Sequence, residues 1–200
     1  ISNKKAINLG YAGNGPLIEY VSLKEYLPLT KVKKILWIYY EGNDLNFTNL
    51  GTELQDKILS KYLRDKNFTQ NLYLKQAQIN SMATSQLEKS LAEYEKKIMY
   101  DKFKILKLFN LRYLITNFEL TNERESYKIS QEFKNIISMT KELADKNGID
   151  LYIVYIPDNY RYNKKKKFLV EDIHDYKKII NYFREVNIPV IDIHSKLLKN

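Results

Sequence analysis

All six glycines and all four prolines of the chain lie outside residues 52–147. A stretch that long without either residue is most simply helical, since glycine costs about 1 kcal/mol and proline about 3 kcal/mol inside a helix. Leu87, Leu91, Tyr94 and Ile98 form one apolar stripe in it, and Phe103, Leu106 and Phe109 begin another. The pattern is equally compatible with a helical cap over a site, a structural subdomain and a surface for self-association.

The flanks carry the turn-forming residues and a different rhythm. Ala6–Leu9, Lys34–Tyr40, Leu151–Ile156 and Pro189–Ile193 are short apolar runs bounded by Gly, Pro, Asn or Asp, and each is expected to be a strand. Runs apolar on both faces suit a parallel sheet covered by helices on both sides. Helical patterns alternate with them. Leu17–Tyr26 follows Pro16, which suits a first helical turn. Ile129–Lys146 places Phe133, Ile136, Ile137, Thr140, Leu143 and Ala144 on one face and is stopped by Gly148. Glu171–Val186 repeats the spacing with Ile173, Tyr176, Ile179, Ile180 and Phe183. The order predicts an α/β sandwich with a mainly parallel sheet.

Composition removes several function classes. The chain has no cysteine, which excludes disulfides, thiol nucleophiles and cysteine-bound metals. With His174 and His194 as the two histidines, a histidine-rich metal site is not expected. No run of eighteen apolar residues occurs, so no span is expected, and no signal peptide can be read. The formal charge of +9 raises nucleic acid as a partner, and Lys164–Lys167 after Tyr160, Arg161 and Tyr162 is its sharpest focus. A lysine block by itself marks solvated surface, and that reading comes first here.

Two segments carry chemistry, each placed after an expected strand. Asn8-Leu9-Gly10-Tyr11-Ala12-Gly13-Asn14-Gly15-Pro16 is a tight glycine loop that opens a helix. Such loops expose backbone N–H groups able to hold an anion or a developing oxyanion, although an ordinary strand–helix turn also needs glycine. The spacing matches neither a dinucleotide fingerprint nor a P-loop. The second segment, Trp37 to Leu45, runs an apolar strand into Glu41-Gly42-Asn43-Asp44. It reads either as a turn with Asp44 capping the next element, or as a strand end presenting the Asn43 amide as an oxyanion donor.

Together these segments resemble blocks II and III of the SGNH (GDSL-like) hydrolases. Tyr155-Ile156-Pro157 and Pro189-Val190-Ile191-Asp192 fit the same resemblance. It implies a three-layer α/β/α sandwich with a flavodoxin-like sheet and a long helical insertion, at about residues 52–122, within a single domain spanning 1–200. It also implies a serine esterase acting on a small-molecule or carbohydrate ester, with O-acetylated carbohydrate as the expected class and no cofactor. Gly13 would supply a backbone N–H to the oxyanion hole and Asn43 its side chain. The common block III form is Gly-x-Asn-Asp, whereas Glu41 and Gly42 stand in its first two positions here.

The family's Gly-Asp-Ser nucleophile block and its Asp-x-x-His block have no counterpart in the chain. Ser2 lacks the context, and Asp192-Ile193-His194 has the wrong spacing, though on an extended strand both polar side chains would share a face. The expectation is a fragment truncated at both ends and inactive as it stands. Relatives of this kind are often exported or anchored through an upstream segment, so an extracytoplasmic or membrane-anchored location is expected. A non-catalytic carbohydrate- or protein-binding module is the alternative, with a basic nucleic-acid-binding protein behind it.

Overall fold

A computed structural model describes residues 5–11, 13–42, 44, 45, 50–102, 129–158, 162 and 171–197; for 97–102, 171–175 and 197 the description covers the backbone alone. The elements are α1 (Pro16–Tyr26), β1 (Lys34–Tyr40), α2 (Thr52–Gln55), α3 (Leu59–Arg64), α4 (Gln76–Lys102), α5 (Gln131–Lys146), β2 (Asp150–Ile156), α6 (Glu171–Glu185), β3 (Val190–Asp192) and α7 (Ile193–Leu197). They fall into two compact units, one of Ile1–Gln70 with Ser126–Asn200, the other Asn71–Glu125.

The first unit is built on a parallel sheet of order β1-β2-β3. Lys34 pairs with Asp150, Tyr40 with Ile156, and Val154 with Ile191. Parallel neighbours require crossover helices, and their ends are set locally. The Ser130 hydroxyl accepts from Phe133 N–H at 3.1 Å to start α5. Gly148, at φ +64°, lets the chain leave α5 while Ile149 N–H returns to the Ala144 carbonyl at 3.0 Å. Asn187, at φ +57°, does the same after α6.

Side chains from α1, α5, α6 and one face of the sheet make a common core. Tyr39 stacks on Tyr155 at 5.7 Å and meets Phe133 and Phe183 edge-on at 6.2 and 5.8 Å. Leu17, Ile136 and Ile153 are fully buried beside them. The opposite face of β1 is open, with Leu36 57% and Ile38 44% exposed. The strand therefore alternates, and is not buried on both faces as its composition suggests.

The expected strand Ala6–Leu9 does not form, and residues 5–10 are exposed without strand pairing. An apolar run acquires strand structure only with a neighbour to share its N–H and C=O groups, and among the described residues none lies beside it. In the second unit, a short 3-10 turn (Leu72–Lys75) leads into α4. Its stripe is solvent-facing: Leu87 is 59% and Tyr94 62% exposed. The side chain of Ile98, and all of Phe103, Leu106 and Phe109, lie outside the described residues. No described helix is long and apolar enough to cross a membrane.

Candidate functional site

The glycine loop reaches α1 through a turn closed by Asn14 N–H donating to the Tyr11 carbonyl at 3.2 Å. Gly13 sits in that turn at φ +90°, a conformation L side chains avoid, and a Cβ there would meet nothing within 4 Å. It is exposed. Upstream, the Asn8 side chain accepts from Gly10 N–H at 2.9 Å.

The next glycine has a different reason. Gly15 N–H donates to Glu53 Oε1 at 2.6 Å, and Leu17 N–H to Glu53 Oε2 at 3.0 Å. Ile18 N–H adds a third bond to the same carboxylate. A Cβ on Gly15 would lie 2.8 Å from that group. The first turn of a helix leaves N–H groups unpaired and carries partial positive charge, so a carboxylate is a natural occupant. The functional reading of the sequence has a loop of this kind offer backbone N–H groups to an outside anion, beside the reading of an ordinary turn. Glu53, on α2 and 5% exposed, already takes them. Gly13 stands outside that set.

The strand-end motif lies alongside. Tyr40 N–H donates to Asp44 Oδ2 at 2.8 Å, and Asp44 N–H returns to the Tyr40 carbonyl at 3.2 Å. Asp44 therefore closes the end of its own strand, in place of capping a later element. Glu41 joins β1 to β2: its N–H donates to the Ile156 carbonyl at 3.0 Å, and its Oε2 accepts from Asp158 N–H at 3.0 Å. That bond is a use for the glutamate that stands where the Gly-x-Asn-Asp pattern has its glycine. Gly42 lies against the Tyr40 ring, whose atoms a Cβ would meet at 2.5–2.8 Å. Asn43 falls outside the described residues.

The charges of Asp44 and Glu53 act on Glu19, and that of Glu53 on Asp44, so the three carboxyls are electrostatically linked. Glu19 lies on α1 and accepts from the indole N–H of Trp37 on β1. Its Oε2 is sealed from solvent and has no hydrogen-bond partner among the described residues. Burial, reinforced by the charges of Asp44 and Glu53, pushes its carboxyl up to about 9. Burial lifts Asp44 to about 7, against the pull of Tyr40 N–H and with a push from Glu53. Glu53 is also raised by burial, and the N–H groups of Gly15, Leu17 and Ile18 oppose that rise. Among the described residues no group of three or more His, Asp or Glu side chains is arranged to hold a metal ion.

The histidine corner departs from expectation. α7 begins at Ile193, so His194 is helical and the extended geometry that would align it with Asp192 is absent. Asp192 Oδ1 accepts from Ser195 N–H at 3.1 Å, and the other carboxylate oxygen accepts from the Tyr176 hydroxyl. His194 Nδ1 lies 2.7 Å from the Tyr162 hydroxyl, with its ring 4.9 Å from that of Tyr176. Among the described residues no hydrogen bond joins Asp192 to His194. The side chain of His174 and the whole of Lys164–Lys167 lie outside the described residues.

Glu53 is invisible to sequence reading, because its partners lie 36 and 38 residues away and no local pattern marks such a pairing. Comparison of the chain with protein-family models, with curated proteins and with solved structures finds no match.

Proposed function

We propose that this chain carries the oxyanion half of an SGNH-type acyl-ester hydrolase, with an O-acetylated carbohydrate as its substrate class. One observation supports the reading above others. Glu53 holds Gly15 in the loop that bears Gly13, and its charge acts on Asp44, which closes the carboxyl end of β1. Open parallel sheets bind their ligands at that end.

In this reading an ester carbonyl is attacked by a serine, and negative charge gathers on its oxygen. Gly13 N–H and the Asn43 amide are the donors that would receive it. Such donors lower the barrier because they need no reorganisation as charge develops. The sheet would be the centre of a three-layer, flavodoxin-like sandwich, with the open face of β1 under the second helical layer. The nucleophile and base are not provided by the motifs in these 200 residues.

An aryl-acetate hydrolysis assay tests the proposal, comparing this chain with a version extended at both ends into the flanking coding sequence. The extended protein is expected to turn over, and Asn43→Ala to lower its kcat about 10²-fold or more. Turnover by the short chain, or an extended enzyme indifferent to Asn43→Ala, would refute it.

A further inference from the structure

We infer that Glu53 is a positioning residue, a built-in carboxylate that sets the conformation of the Gly13 loop through the N-terminus of α1. The inference rests on the oxyanion reading only for the use to which the loop is put; the holding itself stands on geometry.

Gly13 has little else to fix it. It is exposed, and no atom lies within 4 Å of where its side chain would begin. Its neighbours set its orientation. On one side, Asn14 N–H is tied to the Tyr11 carbonyl at 3.2 Å. One residue on, Gly15 N–H is tied to Glu53 at 2.6 Å, and Leu17 N–H to the other carboxylate oxygen at 3.0 Å. A peptide held at both of these points has little freedom left at Gly13, since each residue has only two soft dihedrals.

Glu53 is itself well anchored. Leu50, just before α2, is buried, and Asp56, just after it, caps α3 by accepting from Ile58 and Leu59 N–H at 2.7 and 2.8 Å. The carboxylate therefore transmits the position of α2 into the glycine loop. It also keeps the donors of Gly15 and Leu17 away from any outside anion, which leaves the Gly13 N–H outside the set it occupies.

The test uses this chain, labelled with ¹⁵N, and reads the amide signals and hydrogen exchange of Gly13, Gly15 and Leu17. Glu53→Ala is expected to shift all three signals, and to speed exchange at Gly15 and Leu17 about tenfold or more, the worth of a charge-assisted hydrogen bond. The Gly148 signal should stay in place. Added formate or acetate is expected to return the Gly13 and Gly15 signals towards their original positions by refilling the carboxylate site. Gly15→Ala, which leaves Glu53 present but forces its carboxylate aside, should displace Gly13 in the same direction, and serves if Glu53→Ala does not fold.

A Gly13 signal that stays put while Gly15 moves would reduce Glu53 to a helix cap and overturn the inference. So would the absence of any rescue by small carboxylates. None of these readouts involves ester hydrolysis, so a failed esterase assay and a failed positioning role remain distinguishable.

Discussion

Glu53 and Gly15 are bound as a pair: the carboxylate accepts the Gly15 N–H at 2.6 Å and occupies the space a Gly15 side chain would need. Either substitution, Glu53→Ala or Gly15→Ala, breaks the same bonds. Each is expected to cost about 1–3 kcal/mol. The double variant should cost much less than their sum, because the second change has nothing left to break. Urea unfolding of the four proteins checks this, and additive losses would show that the two residues act separately.

The acidic cluster gives the fold an alkaline weakness. Glu19 and Asp44 have folded pKa values of about 9 and about 7, above the ordinary carboxyl range that they regain on unfolding. The native state therefore holds protons that the unfolded chain releases. That contribution is fully present below about pH 4 and is lost as pH rises through 7 and on to 9. Thermal unfolding followed between about pH 5 and 9 is expected to show a falling midpoint. Glu19→Gln, which keeps an acceptor for the Trp37 indole and cannot ionise, should flatten the profile and raise stability at about pH 8 by roughly 1–3 kcal/mol. A profile unchanged by Glu19→Gln would rule out this origin.

Gly13→Ala isolates backbone strain from packing. A Cβ there meets nothing, yet φ is +90°. The expected cost is about 1–2 kcal/mol, the usual penalty for an L residue in a left-handed conformation. Gly148→Ala, at φ +64° and equally uncrowded, should lose a similar amount by the same denaturant assay. A neutral Gly13→Ala would mean that the turn adopts another conformation.

Glu41 should behave as a tie between two strand ends. Glu41→Ala removes the acceptor of Asp158 N–H and is expected to destabilise by about 1–2 kcal/mol. Glu41→Gln keeps an acceptor oxygen and should recover most of that loss. Hydrogen exchange at Asp158 gives the local readout, with protection falling in Glu41→Ala and largely retained in Glu41→Gln.

Much of the first unit is legible in the sequence because its signals are local. The three-and-four spacing of Phe133, Ile136, Ile137 and Thr140 defines α5, and Gly148 marks its stop. β1 and β2 come from short apolar runs between turn residues. Non-local requirements are harder to read. Ala6–Leu9 has strand composition and no described neighbour to pair with, so its composition cannot make it a strand. The role of Glu53 depends on its contact with Gly15, and nothing near residue 53 announces it. His194 is an intermediate case: Asp192 is a residue that favours a helix start, and its side chain does accept from Ser195 N–H, but the apolar run before it reads as a continuing strand. The site is legible at the level of its two loops. The Glu53 carboxylate that holds the first of them is not.

β1 has a further practical consequence. Its odd residues turn their peptide groups towards β2, as the bonds at Lys33 and Glu41 show, so its even residues face outwards. Asp44 blunts that border at Tyr40, whereas Leu36 and Ile38 present apolar side chains to water a few residues earlier. Where no described residue covers it, a strand border of this kind recruits other chains. Purification yield and colloidal behaviour should therefore depend on protein concentration, and a lysine at position 36 or 38 would be the first solubilising change to try.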